Sequence, residues 1–253
     1  MKLLVCGKGG SGKSTISALI GKALAKKYKV LVIDSDESNF GLHRHLGLEL
    51  PEDFTRYWGG TRGVLDKMPR GGQQQLFEKK WGLEDIPEEY LTEKDNIKLL
   101  AIGKIHDVGE GCACPMAMLA REFLENLQLN DNSELAIVDT DAGIEHFGRG
   151  VERGVDIIIM VVDPSYESIQ LAHKINSLAE TISKPIYFVL NKVKAEIKDN
   201  LTNAVPSNKV IGIMPNNKEI FSSGLLGKEI DVKIEELDRL SEILTNILLT
   251  TKT

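Results

Sequence analysis

Leu3-Leu4-Val5-Cys6-Gly7-Lys8-Gly9-Gly10-Ser11-Gly12-Lys13-Ser14 is the stretch on which the reading of this chain turns. A short apolar run is followed by a loop of glycine, lysine and serine, and then Ile16, Leu19, Ile20, Ala23 and Leu24 fall on one helical stripe. The order is strand, loop, helix. The loop fits G-x-x-x-x-G-K-[ST]: its glycines let backbone N–H groups converge on phosphate oxygens, Lys13 reaches the β and γ phosphates, and the Ser14 hydroxyl suits Mg²⁺. The helix that follows adds its N-terminal dipole to the same site. Lys8 is a second cation in the loop. Two ammonium groups held this close repel each other unless a polyanion neutralises both, so Lys8 is also read as aimed at phosphate.

Outward from this loop, short apolar runs alternate with helix-length amphipathic segments. The runs are Val30 to Ile33, Ile97 to Ile102, Leu135 to Val138, Ile157 to Val162, Ile186 to Leu190 and Val210 to Met214. Strands apolar on both faces belong to a parallel sheet covered by helices on each side. Leu237, Leu240, Leu244, Ile247 and Leu248 form another helical stripe near the C-terminus. The pattern predicts an α/β fold with a doubly wound, mostly parallel sheet, in a single domain over 1–253. Residues 42–96 break the rhythm with Gly59-Gly60, Gly63, Pro69, Gly71-Gly72, both tryptophans and many charges, and are read as a partly helical surface insertion.

Composition narrows the function classes. The 253 residues are 42% hydrophobic and 27% charged, which excludes disordered and fibrous classes. With 31 basic and 37 acidic residues the net charge is −6, so neither nucleic acid nor an anionic membrane is expected as a partner. No apolar run approaches the ~18 residues of a membrane span. Three cysteines, Cys6, Cys112 and Cys114, do not make a disulfide scaffold and suit a reducing compartment, so the expected location is cytoplasmic.

Carboxylates stand where such a fold binds ligands. Asp34-Ser35-Asp36 follows the second run and Asp139-Thr140-Asp141 follows Leu135 to Val138. The C-terminal ends of parallel strands face the ligand crevice, and Mg²⁺ takes one or two carboxylates with phosphate and water. Gly111-Cys112-Ala113-Cys114-Pro115 precedes an amphipathic helix expected from about Met116 to Leu127. Two thiolates one residue apart near a helix N-terminus suit a soft metal, but they are half of a tetrahedral S₄ site. A two-fold dimer would supply the other half. Cys6 is read as core.

The loop with Lys8 resembles the deviant Walker A family, which includes MinD, ParA and the nitrogenase iron protein. That resemblance implies an ATP-sandwich dimer in which Lys8 reaches the partner's nucleotide. Taken with Gly111 to Pro115 and with Asp139-Thr140-Asp141-Ala142-Gly143-Ile144-Glu145-His146-Phe147-Gly148-Arg149-Gly150, the chain resembles CooC-type ATPases and the related AcsF proteins, which assist nickel insertion into carbon monoxide dehydrogenase and acetyl-CoA synthase. The resemblance implies that Gly7, Lys8, Gly9, Gly10, Ser11, Gly12, Lys13, Ser14 and Thr15 bind ATP. It further implies Lys8, Lys13 and Asp36 as the catalytic set, Ser14, Asp36 and Asp139 around Mg²⁺, and nickel or zinc on Cys112 and Cys114. The homodimer would depend on ATP and metal, and its client would be a nickel enzyme. Asn191-Lys192 resembles the start of N-K-x-D, but Val193-Lys194 follows, which favours ATP over GTP; Pro215 and Asn216 stand where relatives line the adenine.

Two other classes remain in view, a positioning ATPase of the MinD/ParA type and an iron–sulfur reductase component like the nitrogenase iron protein. The cysteine that would complete the latter's cluster near Gly143 to Phe147 is missing. The five histidines are read as background, with His106 and His146 the first to test, and Trp58 and Trp81 as packing residues.

Overall fold

A computed structural model describes residues 1–67, 76–106, 114–130 and 133–250. Every apolar run of the sequence is a strand: β1 (Lys2–Gly7), β2 (Lys29–Ser35), β4 (Ile97–Ala101), β5 (Glu134–Thr140), β6 (Ile157–Val162), β7 (Ile186–Val193) and β8 (Val210–Pro215). A further short strand, β3 (Thr92–Lys94), was not anticipated. The sheet order is β3-β4-β2-β5-β1-β6-β7-β8. All neighbours are parallel except β3 and β4. From central β1 the chain crosses to one side into β2 and later to the other into β6, so the end of β1 sits at a topological switch point.

The helices are α1 (Lys13–Leu24), α2 (Leu42–Leu46), α3 (Gly60–Lys67), α4 (Cys114–Asn126), α5 (Glu145–Arg149), α6 (Tyr166–Thr181), α7 (Lys198–Asn203), α8 (Lys218–Leu225) and α9 (Glu235–Thr250). Strand side chains alternate between two cores. Leu3 and Val5 point to the side of Leu19 on α1 and Leu244 on α9, while Leu4 and Cys6 point to the side of Phe123 on α4 and Ile175 on α6. Each fully buried aliphatic side chain contributes roughly 1.5–3 kcal/mol, so the two-faced burial is what fixes the strand register.

Within its described residues, 42–67 and 76–96, the segment 42–96 departs from the expectation of a surface insertion. It is partly helical, with α2, α3 and a 3-10 helix at Phe54–Trp58. Yet Phe54, Trp58, Phe77 and Trp81 are buried in the same core as α4. The Phe54 ring meets Trp58 at 4.9 Å and Phe123 at 5.3 Å in edge-to-face contacts. Such contacts add about 0.5–1.5 kcal/mol each to the area they bury, so this segment extends the core. The two tryptophans are packing residues, as expected.

Candidate nucleotide site

The cradle is built from the end of β1 and the start of α1. Gly10 and Gly12 adopt positive φ, 79° and 97°, a region that favours glycine. A Cβ on Gly12 would lie 2.3 Å from Asn191 Nδ2, so the loop and the end of β7 are fitted to each other. Asn191 Nδ2 donates to Ser11 O at 2.8 Å and Lys192 Nζ donates to Gly10 O at 2.6 Å. Thus Asn191 and Lys192, chosen from sequence as base contacts, also hold the cradle. Lys13 is buried, with its Nζ 3.5 Å from Lys8 O. Lys8 points to Asp163, just beyond β6, at 3.8 Å.

Asp34 and Asp139 are register partners on β2 and β5. Asp139 Oδ1 accepts the Ser17 hydroxyl at 2.7 Å, while Oδ2 is buried with no hydrogen-bond partner among the described residues. Burial raises the Asp139 carboxyl to about 6, against the pull of the Ser14 and Ser17 hydroxyls and of Lys13. Asp36 Oδ1 accepts both the Ser38 N–H at 3.0 Å and the Ser38 hydroxyl at 2.7 Å. Asn39 Nδ2 donates to Ser14 Oγ at 2.6 Å. Ser14 in the first turn of α1, Asp36 just past β2 and Asp139 near the end of β5, named from sequence around Mg²⁺, therefore gather at one edge of the sheet, with Asn39 bonded to Ser14 and Ser17 to Asp139.

Asp34 lies beside this group but is engaged by a cation. It pairs with buried Lys104 at 2.7 Å, and burial pushes its carboxyl up against that pull. Lys104, Asn39 and Asp163 were not singled out from sequence. The signal for Lys104 was a lone cation directly after the apolar run that ends at Ile102.

Beside the cradle lies a cavity of about 320 Å³ lined by Gly12, Thr15, Asn191, Lys192, Pro215 and Asn216, together with His45, Ile220, Phe221 and Leu225. Its size is at the lower end for small-molecule pockets. Asn217 caps α8, its Oδ1 accepting from Glu219 N at 2.8 Å and Ile220 N at 3.0 Å, which sets the helix beside the cavity. Phe221 and Leu225 are 69% and 74% exposed, an apolar wall left open to solvent. Burial lowers the pKa of the His45 imidazole, against the pull of a backbone contact at Ser14. A larger cavity, about 430 Å³, runs along β8 and α9 but shares only Pro215 with the motif residues. Volume alone does not select the site; the convergence of motif residues does.

His146 on α5 is buried, and both ring nitrogens lack hydrogen-bond partners among the described residues. Burial, with Lys13 and Arg149 adding to it, brings its pKa down to about 3, so the ring is neutral. His106 instead contacts Asp53 at 2.8 Å.

The cysteine site is a different case. Cys112 lies outside the described residues, and Cys114 is the exposed first residue of α4. Among the described residues no three His, Cys, Asp or Glu side chains gather as a metal centre. Burial pushes the Cys6 thiol up to about 12, consistent with a core residue. Also among the described residues, no helix is long and apolar enough to cross a membrane.

Comparison with known proteins agrees with this geometry. An ATP-binding protein of Methanocaldococcus jannaschii is 54% identical over 249 residues, covering 97% of this chain and 100% of its own. The carbon monoxide dehydrogenase accessory protein CooC of Rhodospirillum rubrum is 34% identical over 205 residues, 78% of this chain and 76% of its own. A chain of the MinC:MinD cell division protein complex of Aquifex aeolicus shares the fold with a TM-score of 0.67 at 23% identity, over 97% of this chain and 96% of that one. The model of the CobQ/CobB/MinD/ParA nucleotide binding domain matches residues 3–230, and the chain belongs to that family.

Proposed function

We propose that residues 1–253 form one ATP-hydrolysing unit that dimerises with ATP and a soft metal and assists nickel insertion into carbon monoxide dehydrogenase or acetyl-CoA synthase. The observation that carries the nucleotide part is the convergence on one rim of the sheet of the glycine cradle, Lys13, three magnesium-type ligands and a base-sized cavity. The orphaned Asp139 Oδ2 and the orphaned Ser11 Oγ fit a polar occupant. The 34% identity to the CooC accessory protein supports the client class. The net charge of −6 and the acidic first turn of α9, with Glu235, Glu236 and Asp238, support a protein client over DNA or a membrane surface.

In this reading Ser14, Asp36 and Asp139 hold Mg²⁺, which neutralises charge on the β and γ oxygens when bound. Backbone N–H groups of residues 9–15 and the Lys13 ammonium grip the phosphates. Asp36, steadied by Ser38, orients the attacking water. Lys8 leaves Asp163 and reaches the partner's nucleotide, while Asn191, Lys192, Pro215 and Asn216 contact adenine. Cys112 and Cys114 of both chains complete four thiolates for nickel or zinc, which are handed on to the client as cargo.

Elemental analysis tests this reading on protein isolated with Mg²⁺, a non-hydrolysable ATP analogue and either Ni²⁺ or Zn²⁺. The expected result is one soft ion per two chains. Full metal content in a Cys112→Ala, Cys114→Ala variant would contradict the cysteine assignment.

A further inference from the structure

Lys104 is a buried cation that the nucleotide reading leaves without a task. Its side chain is 0% exposed. Its Nζ donates to Asp34 Oδ2 at 2.7 Å, to Asp36 O at 2.5 Å and to Asn39 O at 2.5 Å, using all three of its protons. It also lies 5.6 Å from the centre of the Phe40 ring. One carboxylate is enough to neutralise an ammonium. Two of the acceptors are instead backbone carbonyls of the loop 36–40, whose Asn39 amide touches the Ser14 hydroxyl in the cradle. Ile105 adds a second grip, its N–H donating to Glu37 O at 3.1 Å.

The same short stretch touches the cysteine helix. A Cβ on Gly103 would lie 3.0 Å from both Met116 Sδ and the Thr55 methyl, so Gly103 backs directly onto the first turn of α4, two residues from Cys114. A continuous packed line therefore runs from Ser14 through Asn39, Lys104, Gly103 and Met116 to Cys114. Stability alone does not call for this cation, because a buried ion pair exchanged for neutral groups of similar size is often neutral or stabilising.

We propose that Lys104 is a positioning residue that couples the loop 36–40 beside the cradle to the helix that begins at Cys114. Nucleotide at the cradle then alters the surroundings of Cys114. The inference rests on the nucleotide part of the proposed function.

The test reads the rate of Cys114 alkylation by N-ethylmaleimide in a Cys112→Ser background, with Mg²⁺ as the sole divalent ion, with and without a non-hydrolysable ATP analogue. Lys104→Met alone strands Asp34 in the core, so it is combined with Asp34→Asn. With Lys104 present, the analogue changes the alkylation rate about 5-fold or more. In the Lys104→Met, Asp34→Asn protein that ratio falls to about one, while calorimetry shows analogue affinity held within about 3-fold. Asp34→Asn alone keeps the two carbonyl contacts and keeps the ratio. Persistence of the ratio without Lys104 overturns the proposal, as does its loss in Asp34→Asn alone or its absence in the parent protein that binds the analogue. Failure of the nucleotide reading looks different: no protein in the series binds the analogue, and reading and coupling fall together.

Discussion

The cradle and the cysteine pair are both short glycine-containing motifs, yet one chain finishes only the first. At the cradle, residues from β1, β2, β5, β7 and α8 meet, and each loop is pinned to its neighbour, as Asn191 to Ser11 and Asn39 to Ser14. At the other end Cys114 stands exposed at the start of α4, and among the described residues no three His, Cys, Asp or Glu side chains gather as a metal centre. The difference has a physical origin. A phosphate site can be assembled from backbone N–H groups and a helix terminus, which every α/β switch point provides, whereas a soft ion needs four strong donors that a C-x-C segment cannot supply. In the proposed reading the nucleotide site draws mainly on one chain, with Lys8 lent by the partner, and the metal site needs cysteines from two chains.

That contrast can be broken most severely at Lys13. Lys13→Ala should lower the rate of Mg·ATP hydrolysis by roughly 10²-fold or more, since a charge-stabilising donor aimed at the transition state is lost. Retained turnover would show that the cradle is not the hydrolytic site. The complementary change, Cys112→Ala with Cys114→Ala, should abolish Ni²⁺ or Zn²⁺ binding while monomer affinity for an ATP analogue, by calorimetry, moves by less than about threefold. A parallel loss of both would mean that the two regions are one site.

Asp139→Asn should separate function from stability. The native carboxyl titrates near 6 against an ordinary 3.8, so the folded chain holds the extra proton between those values. Stability from this group is present below about pH 4 and is lost as pH rises through about 6, where the buried charge begins to weigh on the fold. The neutral amide should therefore raise the stability of the nucleotide-free protein by about 1–3 kcal/mol at pH 8, with little gain at pH 4, while hydrolysis falls. Urea unfolding at the two pH values reads the sign directly. The smallest effect is expected at Phe221→Ser. This removes an exposed apolar wall of the base cavity and should weaken analogue binding by about 1 kcal/mol without altering the unfolding midpoint.

Legibility in the sequence followed the same division. Parallel strands could be read because burial on both faces makes their residues continuously apolar, as in Ile157 to Val162. β3 could not, because Thr92-Glu93-Lys94 is a polar edge strand with no such demand. Residues 42–96 looked like surface because glycines and charges dominate them, and the burial of Phe54 and Trp58 against α4 is a tertiary event without periodicity. The cradle was visible since its chemistry is local. His45 and Phe221 were not, because only the fold brings α2 and α8 to the same cavity. Lys104 was hidden for the opposite reason: a lone lysine reads as solvated until its partners, 65 to 70 positions away, are seen.

The central claim is that nucleotide and soft metal together make the functional unit from two chains. Light scattering of the protein with Mg²⁺, a non-hydrolysable ATP analogue and Ni²⁺ or Zn²⁺ tests it most directly. The account predicts a molar mass twice that of one chain when both are present, and a single-chain mass when either is withheld. A single-chain mass with analogue and metal both bound would contradict it.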